Sequence, residues 1–115
     1  MAYGVYSEIY IALPFSNDVK AIKIGETTNA RRRCCQLGRD VGFYVYHTLD
    51  VKGWDKTSRL MVKNYLRGCI FQYLDNSSIH YRWVGLDYFY DLPQFAIEYI
   101  KNHFKEWVTE ANSKL

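Results

Sequence analysis

The stretch IKIGETTNARRRCCQL, residues 22–37, decides how this chain is read. An apolar run of strand character, Ile22 and Ile24 alternating with Lys23, stops at Gly25. Thr27, Thr28 or Asn29 can then cap a helix over about 29–38 that opens with Arg31, Arg32 and Arg33 and ends near Gly38. Three like charges side by side at a strand-to-helix junction either solvate a surface or face something anionic. Successive helical side chains turn by about 100°, so at most two of the three can address one site. Arg32 and Arg33 are the candidates.

Working outward, EIYIAL (8–13) reads as a buried strand, and PFSND as a polar turn after it. The two runs 8–13 and 19–25 then form a hairpin. GFYVYHTLDV (42–51) is a third strand, rich in aromatic and β-branched residues. Asp55 caps a helix running to about Gly68; residues 69–82 are ambiguous, since CIFQYL can extend that helix while DNSS is a loop. A short last strand falls at 87–90. A C-terminal helix over about 92–112 follows, with Asp91 near its cap, Pro93 in its first turn, and a core-facing stripe at Phe95, Tyr99/Ile100, Phe104 and Trp107/Val108. The predicted class is α+β: one domain over 1–115, a small, mostly antiparallel three-stranded sheet flanked by helices.

Charge is distributed unevenly. Residues 20–67 carry eleven Lys and Arg against four acids, while the flanking segments carry four against eight. That asymmetry is the footprint of a basic face and a polyanionic partner. Along 55–68, Arg59, Lys63 and Arg67 recur at i, i+4, i+8 and predict a basic stripe on one helix face. No apolar run reaches the roughly 18 residues of a membrane span. The three cysteines and three scattered histidines show no ligand spacing, so no metal site is expected and the thiols suit a reducing cytoplasm.

These residues resemble the GIY-YIG endonuclease superfamily, in particular a phage-type DNA-binding branch that reads KIG for YIG. Glu8-Ile9-Tyr10 corresponds to the first half-motif, Lys23-Ile24-Gly25 to the second, and Arg33 to the arginine of the following helix; the likeness spans about 8–90. The resemblance implies that Tyr10 helps deprotonate a water, that Arg33 steadies a phosphate, and that a glutamate on the next helix holds a divalent metal. There is no glutamate between residues 27 and 97, and the expected position falls on or beside Arg59. A guanidinium there repels a cation. The expectation is therefore a catalytically degenerate nuclease-like domain without a cofactor, gripping nucleic acid (DNA rather than RNA) or another phosphate-bearing anion in a basic trough. That trough is built from Tyr10, Lys23, Arg32, Arg33, Arg59, Lys63 and Arg67. Two alternatives stay open. One is an active magnesium-dependent endonuclease using Tyr10 and Arg33. The other is a small phage or mobile-element protein that inhibits an acidic protein partner or sequesters a nucleotide. The C-terminal helix closes the core or supports a homodimer.

Overall fold

A computed structural model describes residues 7–115. The elements run β1 (Glu8–Pro14), β2 (Ala21–Thr27), α1 (Ala30–Asp40), β3 (Phe43–Asp50), α2 (Lys56–Asn76), β4 (Arg82–Val84), β5 (Tyr88–Tyr90) and α3 (Gln94–Ser113). The α+β class holds, but the sheet has five strands rather than three, in the order β3-β1-β2-β5-β4, every neighbouring pair antiparallel. β5 is the short last strand expected at 87–90; β4, which was not expected, pairs with it in a short hairpin that adds to β2 through β5. Gly85, at φ 61°, turns it, and Arg82, Trp83 and Val84 are all exposed. Three exposed residues carry no alternation, so β4 left no pattern in the sequence.

β1 explains why the sheet sits in the middle of the molecule. Ile9, Ile11 and Leu13 point to one face and Tyr10 and Ala12 to the other, and all five are buried. On the first face, with Ile22 and Ile24 of β2, lies the main core against Val62, Leu66 and Ile70 of α2 and Ile100, Phe104 and Val108 of α3. On the second, Tyr10, Ala12, Ala21 and Phe43 enclose Leu37 of α1.

Helix ends follow local chemistry. Asn29 caps α1, its side-chain oxygen accepting from Arg32 N at 3.0 Å. The helix passes the expected stop at Gly38, where a Cβ would lie 3.3 Å from the Phe15 ring, and the left-handed turn comes at Gly42, φ 73°. Asp55 caps α2 through Ser58 N at 3.2 Å. CIFQYL continues α2, because Ile70 and Leu74 extend the buried stripe of Val62 and Leu66. In α3 the stripe is Ala96, Ile97, Ile100, Phe104, Val108 and Ala111. Phe95, expected inside, is 64% exposed, and Tyr99 also lies at the surface. The start of α3 is set by Pro93 at its N-cap after the left-handed Asp91, which turns Phe95 outward. Trp107 packs at the margin of the core.

One cross-strand pair has no slack. Tyr10 lies opposite Gly25, and a Cβ on Gly25 would come 2.2 Å from Tyr10 Cζ and Oη. The ring lies over the glycine because nothing else fits beneath it. Gly25→Ala is therefore expected to lower stability by about 1–3 kcal/mol in urea unfolding, the usual range for overpacking a core. Gly25→Ala combined with Tyr10→Ala should cost little more than Tyr10→Ala alone, because the clash has been removed.

Candidate anion-binding site

The site lies where the sheet narrows. β5 pairs with Ala21–Lys23 of β2 only, so Gly25–Thr27 lack a neighbour on that side. The side chains of α2 and Glu26 of β2 reach the gap from the main-core face, and Lys23 of β2 and the side chains of α1 from the other.

Lys23, 7% exposed, donates to the Tyr10 hydroxyl at 2.8 Å and to Ile24 O at 3.2 Å. Its ammonium also stands 5.0 Å from the Tyr10 ring centre and 5.3 Å from that of Tyr88. Burial pulls Lys23 down to about 8; Asp87 and Glu26 oppose that fall, and the Arg33 charge adds to it. Burial raises Tyr10, while the nearby Arg33 charge pulls in the other direction. Arg33 thus stands close to the Tyr10 hydroxyl, although no hydrogen bond of good geometry joins the two. Tyr10 is wholly buried, so as placed its hydroxyl holds Lys23 and does not meet solvent.

The stripe on α2 is real, but it is spoken for. Arg59 Nε donates to Glu26 Oε2 at 2.7 Å and Arg59 Nη1 to Trp54 O at 2.8 Å, and the side chain is 9% exposed. Lys63 reaches Asp87 Oδ2 at 3.2 Å. Arg67 reaches Asp87 Oδ1 at 2.8 Å and also donates to Leu86 O and Asn64 Oδ1. Spacing placed these three on one face correctly. It gave no view of Asp87 and Glu26, the two acids that receive them. Glu26 lies in β2 on the same side as Ile22 and Ile24 and so points toward α2, where it meets Arg59. The signal for Asp87 was an acid opening the DYF strand, with a basic i, i+4, i+8 helix waiting for a partner.

Arg32 and Arg33 differ in kind. Together with Thr27, Thr28, Asn29 and Gln36 they line a depression of about 250 Å³ at the N-terminus of α1. Among the described residues, none of Arg31, Arg32 and Arg33 has a carboxylate within ion-pair distance. The helix end adds its own partial positive charge. The structure therefore brings Tyr10, Lys23 and Arg33 together, with Lys63 near enough to act on the Tyr10 charge. Arg32 stands beside them on α1, and Arg59 and Arg67 are tied into the packing of α2.

A divalent metal does not fit these donors. Glu26 and Asp87 already face guanidinium or ammonium groups, and no cluster of three metal-ligating side chains occurs among the described residues. No helix among the described residues is long and apolar enough to cross a membrane.

Comparison with known proteins finds no matching family, no similar curated protein and no similar solved structure.

The buried lysine gives stability a pH signature. Its folded-state pKa lies below the ordinary 10.5, so between about pH 8 and 10.5 the unfolded chain holds more protons and stability rises with pH. Relative to Lys23→Met, the parent should gain about 1 kcal/mol per pH unit in that window, read from urea midpoints. A difference independent of pH would show that Lys23 is not buried as an ammonium.

Proposed function

We propose that this chain is a GIY-YIG-like domain that binds the phosphates of nucleic acid, DNA in the first instance, without cleaving them. The observation that supports this reading is the division among its cations. Arg59, Lys63 and Arg67 are matched by Glu26 and Asp87, whereas Arg32 and Arg33 line, without a carboxylate partner among the described residues, a depression at a helix N-terminus. A phosphate placed there meets forked guanidinium donors and the positive helix end together. Lys23, behind Arg33, gains from an arriving anion, because the anion stabilises an ammonium that burial has disfavoured.

This revises the trough expected from sequence. Only one wall, α1, offers free charge; the α2 wall is structural. Hydrolysis finds no support in the donor set, since the superfamily chemistry needs a carboxylate free for a metal and both nearby acids serve cations.

The test is a salt titration of duplex DNA binding. Arg33→Ala and Arg32→Ala should each weaken binding and lower the slope of log K against log salt by about 1. Arg59→Ala should leave that slope in place and instead cost roughly 3 kcal/mol of stability, because it strands Glu26 in a mostly buried setting. Affinity in the parent should also fall as pH rises through about 8, where Lys23 loses its proton. Cleavage of plasmid DNA by the parent with magnesium would overturn the non-hydrolytic reading. A salt slope unchanged in both arginine variants would overturn the site.

A further inference from the structure

On the far side of the main core, α2 and α3 diverge around a groove of about 470 Å³. Its chemistry is the reverse of the α1 surface. Tyr65, Tyr73, Tyr99 and Trp107 supply aromatic walls, Gln72 supplies an amide, Glu110 supplies a carboxylate, and no lysine or arginine lines it. Glu110 makes no ion pair among the described residues; its Oε2 accepts from the Tyr65 hydroxyl at 2.9 Å, and its other oxygen has no partner among them.

The rings are held in place. Tyr73 and Tyr99 stack with centres 3.8 Å apart at 4°, Tyr99 stacks on His103 at 3.8 Å, and His103 leans on Trp107 at 5.5 Å. His103 Nδ1 lies 2.8 Å from Tyr99 O, which fixes the imidazole in that ladder. The chain also shows what these rings attract: the Lys114 ammonium stands 5.4 Å from the centre of the Tyr65 ring. A cation over an aromatic face beside a carboxylate gains from both the ring quadrupole and the charge.

We propose that this groove is a binding site for an organic ammonium ion, seated against Glu110 and the rings of Tyr65 and Trp107, with the Tyr73–Tyr99–His103 stack as the wall that holds them. A nucleotide is the wrong ligand, since its phosphate would meet the Glu110 carboxylate in a groove that no lysine or arginine lines. A purely apolar ligand would cover the carboxylate without pairing it. The volume lies within the usual range for small-molecule sites. The ammonium is either a free small amine or a lysine side chain of a partner polypeptide, and the two share the same recognition.

The experiment follows the three tryptophan indole N–H resonances of the full chain, with that of Trp107 assigned through Trp54→Phe and Trp83→Phe variants. The chain is titrated with tetramethylammonium chloride and, separately, with a lysine-containing pentapeptide, at matched sodium chloride. A saturable shift confined to Trp107 is expected, weakened about tenfold by Glu110→Gln, the loss of one charge-assisted contact. Glu110 is exposed, so the variant should stay folded. Tyr65→Phe removes the hydroxyl from Glu110 and should leave binding intact or tighter. A peptide that binds more tightly than the free ion identifies a polypeptide source; equal affinity identifies a small amine. A shift that rises linearly without saturating, a curve unchanged by Glu110→Gln, or an equal response to inorganic phosphate overturns the proposal.

Discussion

The Tyr10 ring packed on Gly25 is the contact from which the rest of the site is built. A β-strand position with a side chain could not accept the ring, and without the ring the hydroxyl would not stand 2.8 Å from the Lys23 ammonium. A buried ammonium is costly unless it is surrounded by acceptors, π-faces and opposite charge. Here the Tyr10 hydroxyl, the Ile24 carbonyl, two tyrosine rings and the field of Asp87 supply that setting. Asp87 in turn anchors Lys63 and Arg67, so one aromatic-on-glycine contact is linked through charge to the seating of α2.

That linkage divides the basic residues by what they cost to remove. An ion pair such as Arg59–Glu26, mostly out of water, roughly offsets its own desolvation; its effect is to set where α2 lies, because a shift along the sheet would strand two charges at once. The apolar face of α2 tolerates sliding far better than such a pair does. The α1 arginines carry no such duty. They are held by a capped helix whose single buried anchor is Leu37, and their heads are left to the solvent and to whatever anion enters it.

Opposite faces of the molecule therefore present opposite chemistry. The α1 side offers unmatched guanidinium groups at a helix start, and the α2–α3 side offers an aromatic groove with an unmatched carboxylate. The central sheet keeps them apart, with an apolar cluster packed on each of its faces.

The buried strand at 8–13, the strand at 19–25, a helix cap among Thr27, Thr28 and Asn29, the cap at Asp55 and the i, i+4, i+8 cations were all legible in the linear chain, because each depends on neighbours within a few residues. Of the β4–β5 hairpin only the strand at 87–90 was legible: the three exposed residues of β4 form a strand only because β5 offers them an edge. In the α3 stripe Ile100, Phe104 and Val108 face inward as the spacing has it, but Phe95 and Tyr99 lie outside and Ala96, Ile97 and Ala111 inside, which only packing shows. The partners of the cations lay furthest from view. Glu26 and Arg59 are 33 residues apart, Lys63 and Asp87 24. The sequence alone determined where positive charge is concentrated; the folded chain decided which of it is free, because a charge is matched by what lies near it in space and not along the chain.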